Sequence, residues 1–196
     1  YKKVVIDETF HLSYPYVFQW QNDFYLIPES HEDFSVRVYK AISFPETWQY
    51  VGNIFSGVYR HVDNTIFRHD GKWWMFSSTG RSDVLNLYFS DDLLQGWKPH
   101  PKNPIVRLDK KYSRPAGRIF EYDGKIYRLA QDCSDYYGVQ VFAFEITQLS
   151  ETEYSERLVE EPLVSRTGTG WNKMGMHHVD LLQIDGRWVA AVDGQK

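Results

Sequence analysis

The chain holds a single cysteine, Cys133, which excludes an internal disulfide and favours a reducing, cytoplasmic setting. No apolar run approaches the roughly 20 residues of a membrane-spanning helix, so membrane insertion is not expected. Lys2 and Lys3 lead into only a short Val4-Val5-Ile6 stretch, not the long apolar core of a secretory leader. Positive charge is not in excess: a net charge of −4 and a pI near 6.0 leave no electrostatic footprint for nucleic acid. A phosphate-cradling glycine loop, a Cys-x-x-Cys pair and a Gly-x-Ser-x-Gly elbow are all missing, and no cofactor is expected. Helix signals are scarce. Thr147–Arg157, with Thr147, Ser150 or Thr152 as caps, is the one stretch read as a short helical turn.

What the chain does have is one phrase repeated four times. It reads Arg68-His69-Asp70-Gly71-Lys72-Trp73-Trp74, then Glu121-Tyr122-Asp123-Gly124-Lys125-Ile126-Tyr127, then Gln183-Ile184-Asp185-Gly186-Arg187-Trp188-Val189, with a worn first copy at Gln19-Trp20-Gln21-Asn22-Asp23-Phe24-Tyr25. Asp-Gly between apolar, aromatic-rich runs marks a two-residue hairpin turn whose central residues need positive φ. The turns at Gln21, Asp70, Asp123 and Asp185 lie 49, 53 and 62 residues apart, and Trp48 and Trp97 repeat the 49-residue interval. A period of that length signals propeller blades or a similar array. Aromatic residues at 17% suit both sheet cores and sugar-stacking surfaces.

Each repeat opens with an expected inner strand (Tyr14–Phe18, Val62–Phe67, Pro115–Phe120, His178–Leu182). A second follows the turn (Phe24–Ile27, Trp73–Ser77, Ile126–Ala130, Trp188–Val192), and three copies add a third (Ser35–Ala41, Leu85–Ser90, Val139–Ile146). The proline-rich Lys98–Pro104 loop is excluded as a central strand. Tyr1–Ile6 reads as a lone strand. The last repeat stops after its hairpin, so the single domain spanning 1–196 is expected to be a piece of a longer propeller, its final blade partial.

Aligned on the turns, Tyr14, Asp63, Ala116 and His178 share one position at the start of the inner strand, and Glu29, Ser78, Gln131 and Asp193 share another at the end of the second. Both positions lie on the same rim of a propeller. Asp63 is either an Asx-type entry to its strand or a carboxylate aimed into the central funnel. Glu29, and Asp132 beside Gln131, either cap hairpin exits or join Asp63 at one mouth. Arg114 and Arg118 flank Pro115-Ala116-Gly117, whose small residues admit close approach, and serve an inter-blade ion pair or a ligand clamp equally well. His178 and Asp180 share a strand face and are expected to hydrogen-bond to each other; two such groups are too few for a metal site. Cys133 reads as a packing residue.

His11-Leu12-Ser13-Tyr14-Pro15-Tyr16, Ile27-Pro28-Glu29-Ser30, Val62-Asp63-Asn64-Thr65, Ser113-Arg114-Pro115-Ala116-Gly117-Arg118 and Ala130-Gln131-Asp132-Cys133-Ser134 together resemble one known domain. It is the N-terminal domain of plant glucosamine inositolphosphorylceramide transferases, similar in turn to arabinanase-like five-bladed propellers of glycoside hydrolases. The resemblance spans nearly the whole chain and implies an all-β, five-bladed propeller with about four blades visible and the first mostly missing. The family's opening Ala-Asp-Pro-Phe phrase has no counterpart here, and Asn64 stands where the family usually has proline. By the analogy, a glycan is the expected ligand and paired carboxylates do glycosidase-like chemistry. Glu29 would be the acid and Asp63 the base or orienting carboxylate. Asp132, Arg114 and Gln131 would position the pair or bind sugar, with His178 at the same rim and Tyr14 and Tyr136 offering stacking faces. The alternative is a non-catalytic glycan-binding module serving a fused or partner transferase domain.

Overall fold

The computed structural model describes residues 2–79 and 81–196. Turn chemistry builds the fold. At each of the four repeat turns both central residues have positive φ: Gln21 49° and Asn22 69°, Asp70 47° and Gly71 79°, Asp123 52° and Gly124 68°, Asp185 50° and Gly186 74°. This is the mirror-image turn whose twist matches paired strands. Blade 1 consists of β1 (Ser13–Trp20), β2 (Asp23–Glu29), β3 (Ser35–Ser43) and β4 (Thr47–Ser56), paired antiparallel in chain order. In blade 2, β5 (Val62–His69), β6 (Lys72–Thr79) and β7 (Val84–Ser90) end on two short edge strands, β8 (Lys98–Pro99) and β9 (Val106–Arg107), both on β7. In blade 3, β10 (Arg114–Pro115) and β11 (Phe120–Tyr122) pair with β12 (Lys125–Gln131), followed by β13 (Gln140–Leu149), β14 (Tyr154–Leu158) and β15 (Val164–Ser165). Blade 4 is the hairpin β16 (Val179–Ile184) and β17 (Arg187–Val192).

Period-2 alternation assigns each face of a blade to a neighbour. On β6, Trp73 and Met75 pack with Ile27, Val36 and Val38 of blade 1, whereas Trp74 and Phe76 join a cluster that includes Ile146 of blade 3. Ala116, Leu129 and Val141 meet Val179 of blade 4. Burying each such side chain contributes about 1.5–3 kcal/mol. The blades converge at Tyr14. Its hydroxyl lies 2.8 Å from Thr65 Oγ1 of blade 2 and accepts the Gly117 N–H of blade 3 at 2.9 Å; its ring meets His178 beside blade 4 edge-on at 5.1 Å. The expected close approach at Gly117 is Val179: a Cβ at Gly117 would lie 1.9 Å from the Val179 carbonyl oxygen.

Three expectations change. Residues 2–6 form no strand: Val4 and Val5 stay exposed, while Tyr1 lies outside the described residues. The inner strand over Pro115–Phe120 splits in two, because Pro115 has no donor and Gly117, at φ 143°, leaves the ladder. Thr147–Arg157 is a hairpin, not a helical turn. Ser150 Oγ accepts the Thr152 and Glu153 N–H groups and caps the reversal between β13 and β14. Trp48 and Trp97 do occupy equivalent places. Each donates its indole N–H to a carbonyl a few residues back, Pro45 and Leu93, both at 2.9 Å.

Candidate functional site

The rim positions read from the repeats fall in matching register: Ser13 faces Glu29, Val62 faces Ser78 and Arg114 faces Gln131. Just inside that rim, β1 and β5 each carry a register slip, between Ser13 and Tyr16 and between Val62 and Thr65. Within the slips Tyr14 and Asp63 sit at φ 44° and 51°. Asp tolerates this left-handed conformation better than most residues, while for Tyr it is strained. The two bulges redirect both side chains toward the axis.

There a cavity of about 380 Å³ opens, lined by Tyr14, Asp63, Gln131, Tyr137, His177, His178, Asp180 and Asp193 among others. Asp63 is 3% exposed and Glu29, behind it, 4%. Arg114 Nε donates to Asp63 Oδ2 at 2.5 Å, and Gln131 Nε2 donates to the same oxygen at 3.1 Å. The Asp63 N–H donates to Glu29 Oε2 at 3.1 Å. On the other side, Glu29 Oε1 lies 2.7 Å from His31 Nδ1 and accepts the Ser13 hydroxyl at 3.2 Å. Burial pushes the Asp63 carboxyl from its ordinary 3.8 up to about 7, against the pull of Arg114 and with help from the Glu29 charge. Burial also pushes on Glu29. Hydrogen bonds from Asp63, the Arg114 charge and His31 outweigh it and hold Glu29 below the usual range. Of the two carboxyls, Asp63 is thus the one shifted toward holding a proton and Glu29 the one shifted toward ionisation. Burial lowers His178 and takes His177 to about 4, while His177 Nδ1 lies against Asp193 Oδ2.

The other expected residues divide. Arg114 and Gln131 join Asp63, and Tyr14 and His178 line the cavity. Asp132 is buried but turned away: Ser134 donates to its Oδ1 through backbone N–H and hydroxyl, and Gln140 Nε2 donates to Oδ2 at 3.0 Å. Tyr136 bonds to the Met174 carbonyl and to Arg166, and its neighbour Tyr137 takes the place on the cavity. Asp180 does not bond to His178. Arg118 claims it with two parallel bonds of 2.5 and 2.7 Å, a fork geometry that imidazole does not match. Asp193 instead holds the His177–His178 turn, accepting both backbone N–H groups at 3.0 and 2.9 Å. Asp193 belongs to the rim set that the repeat register defines, and His177 stands next to His178 in the same local cluster. Nothing in the sequence singled out Tyr137 over Tyr136.

The fold matches a thermostable family-43 glycoside hydrolase with a TM-score of 0.68 and 19% identity, over 94% of this chain and 64% of that one. With four repeats about a shared centre, this defines the class: a β-propeller of the five-bladed, arabinanase-like type. Residues 1–195 match the family model described as glucosamine inositolphosphorylceramide transferase 1, N-terminal, and the chain belongs to that family. It is 36% identical over 205 residues to glucosamine inositolphosphorylceramide transferase 1 of Oryza sativa subsp. japonica and 37% identical to that of Arabidopsis thaliana, in each case over 98% of this chain. The chain spans about a quarter of those relatives, 27% and 26% of their lengths.

Proposed function

We propose that this propeller binds a glycan in the axial cavity without hydrolysing it, and presents it to a transferase domain fused to it or associated with it. One observation carries the reading. Both candidate carboxylates are spent on the protein itself, Asp63 on Arg114 and Gln131, Glu29 on His31, Ser13 and the Asp63 backbone. A glycosidase needs one carboxyl reaching the leaving oxygen and another reaching water or the anomeric carbon. Here Glu29 lies behind the cavity wall, and a guanidinium rests against the carboxyl that does face the cavity. What the cavity offers is recognition: Tyr14 and Tyr137 for the apolar face of a sugar, and His178 with Gln131 for hydroxyls. The transferase context is supported by the relatives named above.

The raised Asp63 favours the glycosidase reading as the second possibility, since a carboxyl poised near 7 is a serviceable general acid. One experiment separates the two. Neutral mono- and oligosaccharides are titrated calorimetrically, and the protein is incubated with aryl xylosides, arabinofuranosides and N-acetylglucosaminides. Binding that Tyr137→Ala and His178→Ala weaken by about tenfold, with no release of the aryl group, is expected. Turnover abolished by Asp63→Asn or Glu29→Gln would reinstate hydrolysis.

A further inference from the structure

A second cleft of about 380 Å³ lies at the opposite end of blades 1 and 2, beside the hairpin turns and away from the rim. Trp20 closes β1, Arg68 is next to last in β5, Trp73 is second in β6 and Asp91-Asp92 follow β7. Its volume falls within the roughly 300–1,000 Å³ of small-molecule sites. Three of its lining side chains, the indoles of Trp20 and Trp73 and the guanidinium of Arg68, donate to no acceptor among the described residues. Trp48, Trp74 and Trp97 each give their indole N–H to a backbone carbonyl, at 2.9, 3.2 and 2.9 Å. Trp20 and Trp73, packed edge to face at 5.2 Å, give theirs to none among the described residues, as do the exposed Trp171 and Trp188. Arg114, Arg118 and Arg128 each hold a carboxylate. Arg68 holds none among the described residues; its guanidinium lies 4.3 Å over the Trp20 ring and 5.7 Å from that of Trp73.

We propose that this cleft is a second glycan site, independent of the axial cavity, and that it takes a neutral sugar unit. Indole and phenol faces from Trp20 and Tyr25 suit the C–H face of a pyranose. The stacked guanidinium and the two indole N–H groups supply donors for ring and hydroxyl oxygens, which accept. The acceptors in the cleft are anionic and already anchored: Asp91 by Lys72 at 2.5 Å, Asp92 by the Leu94 and Gln95 N–H groups at 2.9 and 3.1 Å. They take hydroxyl protons and repel a carboxylate, so a uronate is disfavoured.

The test follows tryptophan indole resonances of the full chain, labelled with nitrogen-15, as xylotriose, cellotriose or trigalacturonate is added. A neutral trisaccharide should move the Trp20 and Trp73 signals. Arg68→Ala, an exposed position whose loss leaves the fold intact, should weaken that response about tenfold, Trp20→Ala should remove it, and Asp63→Asn in the axial cavity should leave it unchanged. Absence of any shift, a shift that survives Arg68→Ala, or trigalacturonate binding as tightly as the neutral sugars would overturn the proposal. Because the axial variants are scored separately, failure here leaves the axial reading untouched, and the converse holds.

Discussion

Asp63 combines a left-handed backbone, near-complete burial and an arginine partner, and its protonation equilibrium follows from that setting. Its folded pKa of about 7 lies above the ordinary 3.8, so the folded state binds the proton more tightly than the unfolded chain does. The stability Asp63 contributes is therefore complete below about pH 4 and is lost as pH rises through 7. Glu29, held low, acts in the opposite sense: its contribution is present above its ordinary range and is lost on acidification. Asp63→Asn removes the first effect. Urea unfolding between pH 4 and pH 8 should show the wild type losing stability relative to this variant as pH rises, and parallel curves would count against a raised Asp63. The carboxylates were legible as rim residues because repeat alignment fixes which positions face the axis. Their partners were not, because Arg114 lies 51 residues from Asp63 and its reach depends on how two blades approach.

At the scale of the element, the hairpin is the unit the chain repeats. The turns need positive φ at two successive residues, which glycine adopts freely and most side chains resist. Gly71 illustrates this with no packing contribution: a Cβ there meets nothing within 4 Å, so any penalty is conformational. Gly71→Ala should cost about 1 kcal/mol in chemical denaturation, and Gly71→Asn less, since Asn22 already holds φ 69° in the first copy. An alanine variant as stable as the wild type would contradict the turn assignment. Hairpins and their register were readable because the turn signal and the period-2 pattern are local. The β1 and β5 bulges and the splitting of the third inner strand left weaker traces, since a bulge changes pairing without changing composition.

For the whole molecule, the cohesion between blades rests on apolar faces and on a few charged links at the centre. Arg118 of the third blade grips Asp180 of the fourth, and Val179 donates its N–H to the Ala116 carbonyl at 2.8 Å. Leu182, Ile184, Trp188, Val189 and Val192 of the fourth blade remain exposed, so that hairpin has less burial to hold it than its neighbours. Asp180→Asn should speed amide hydrogen exchange across 179–192 while 62–90 keeps its protection, as expected of a locally opening unit. Uniform acceleration, or none, would show that the pair does not hold the blade.

The sequence by itself determined the number of repeats, the hairpin turns with most of the strands that flank them, the propeller class and the rim positions of the repeat, because each depends on interactions within a few residues or on a fixed period. Only the tertiary structure decided the partners. It set Arg114 on Asp63 and Arg118 on Asp180, turned Asp132 toward Ser134, brought Tyr137 and not Tyr136 to the cavity, and laid Arg68 over the Trp20 ring. Those choices join residues as far as 103 positions apart, as in the Tyr14–Gly117 bond, and are made by the packing of one blade against the next.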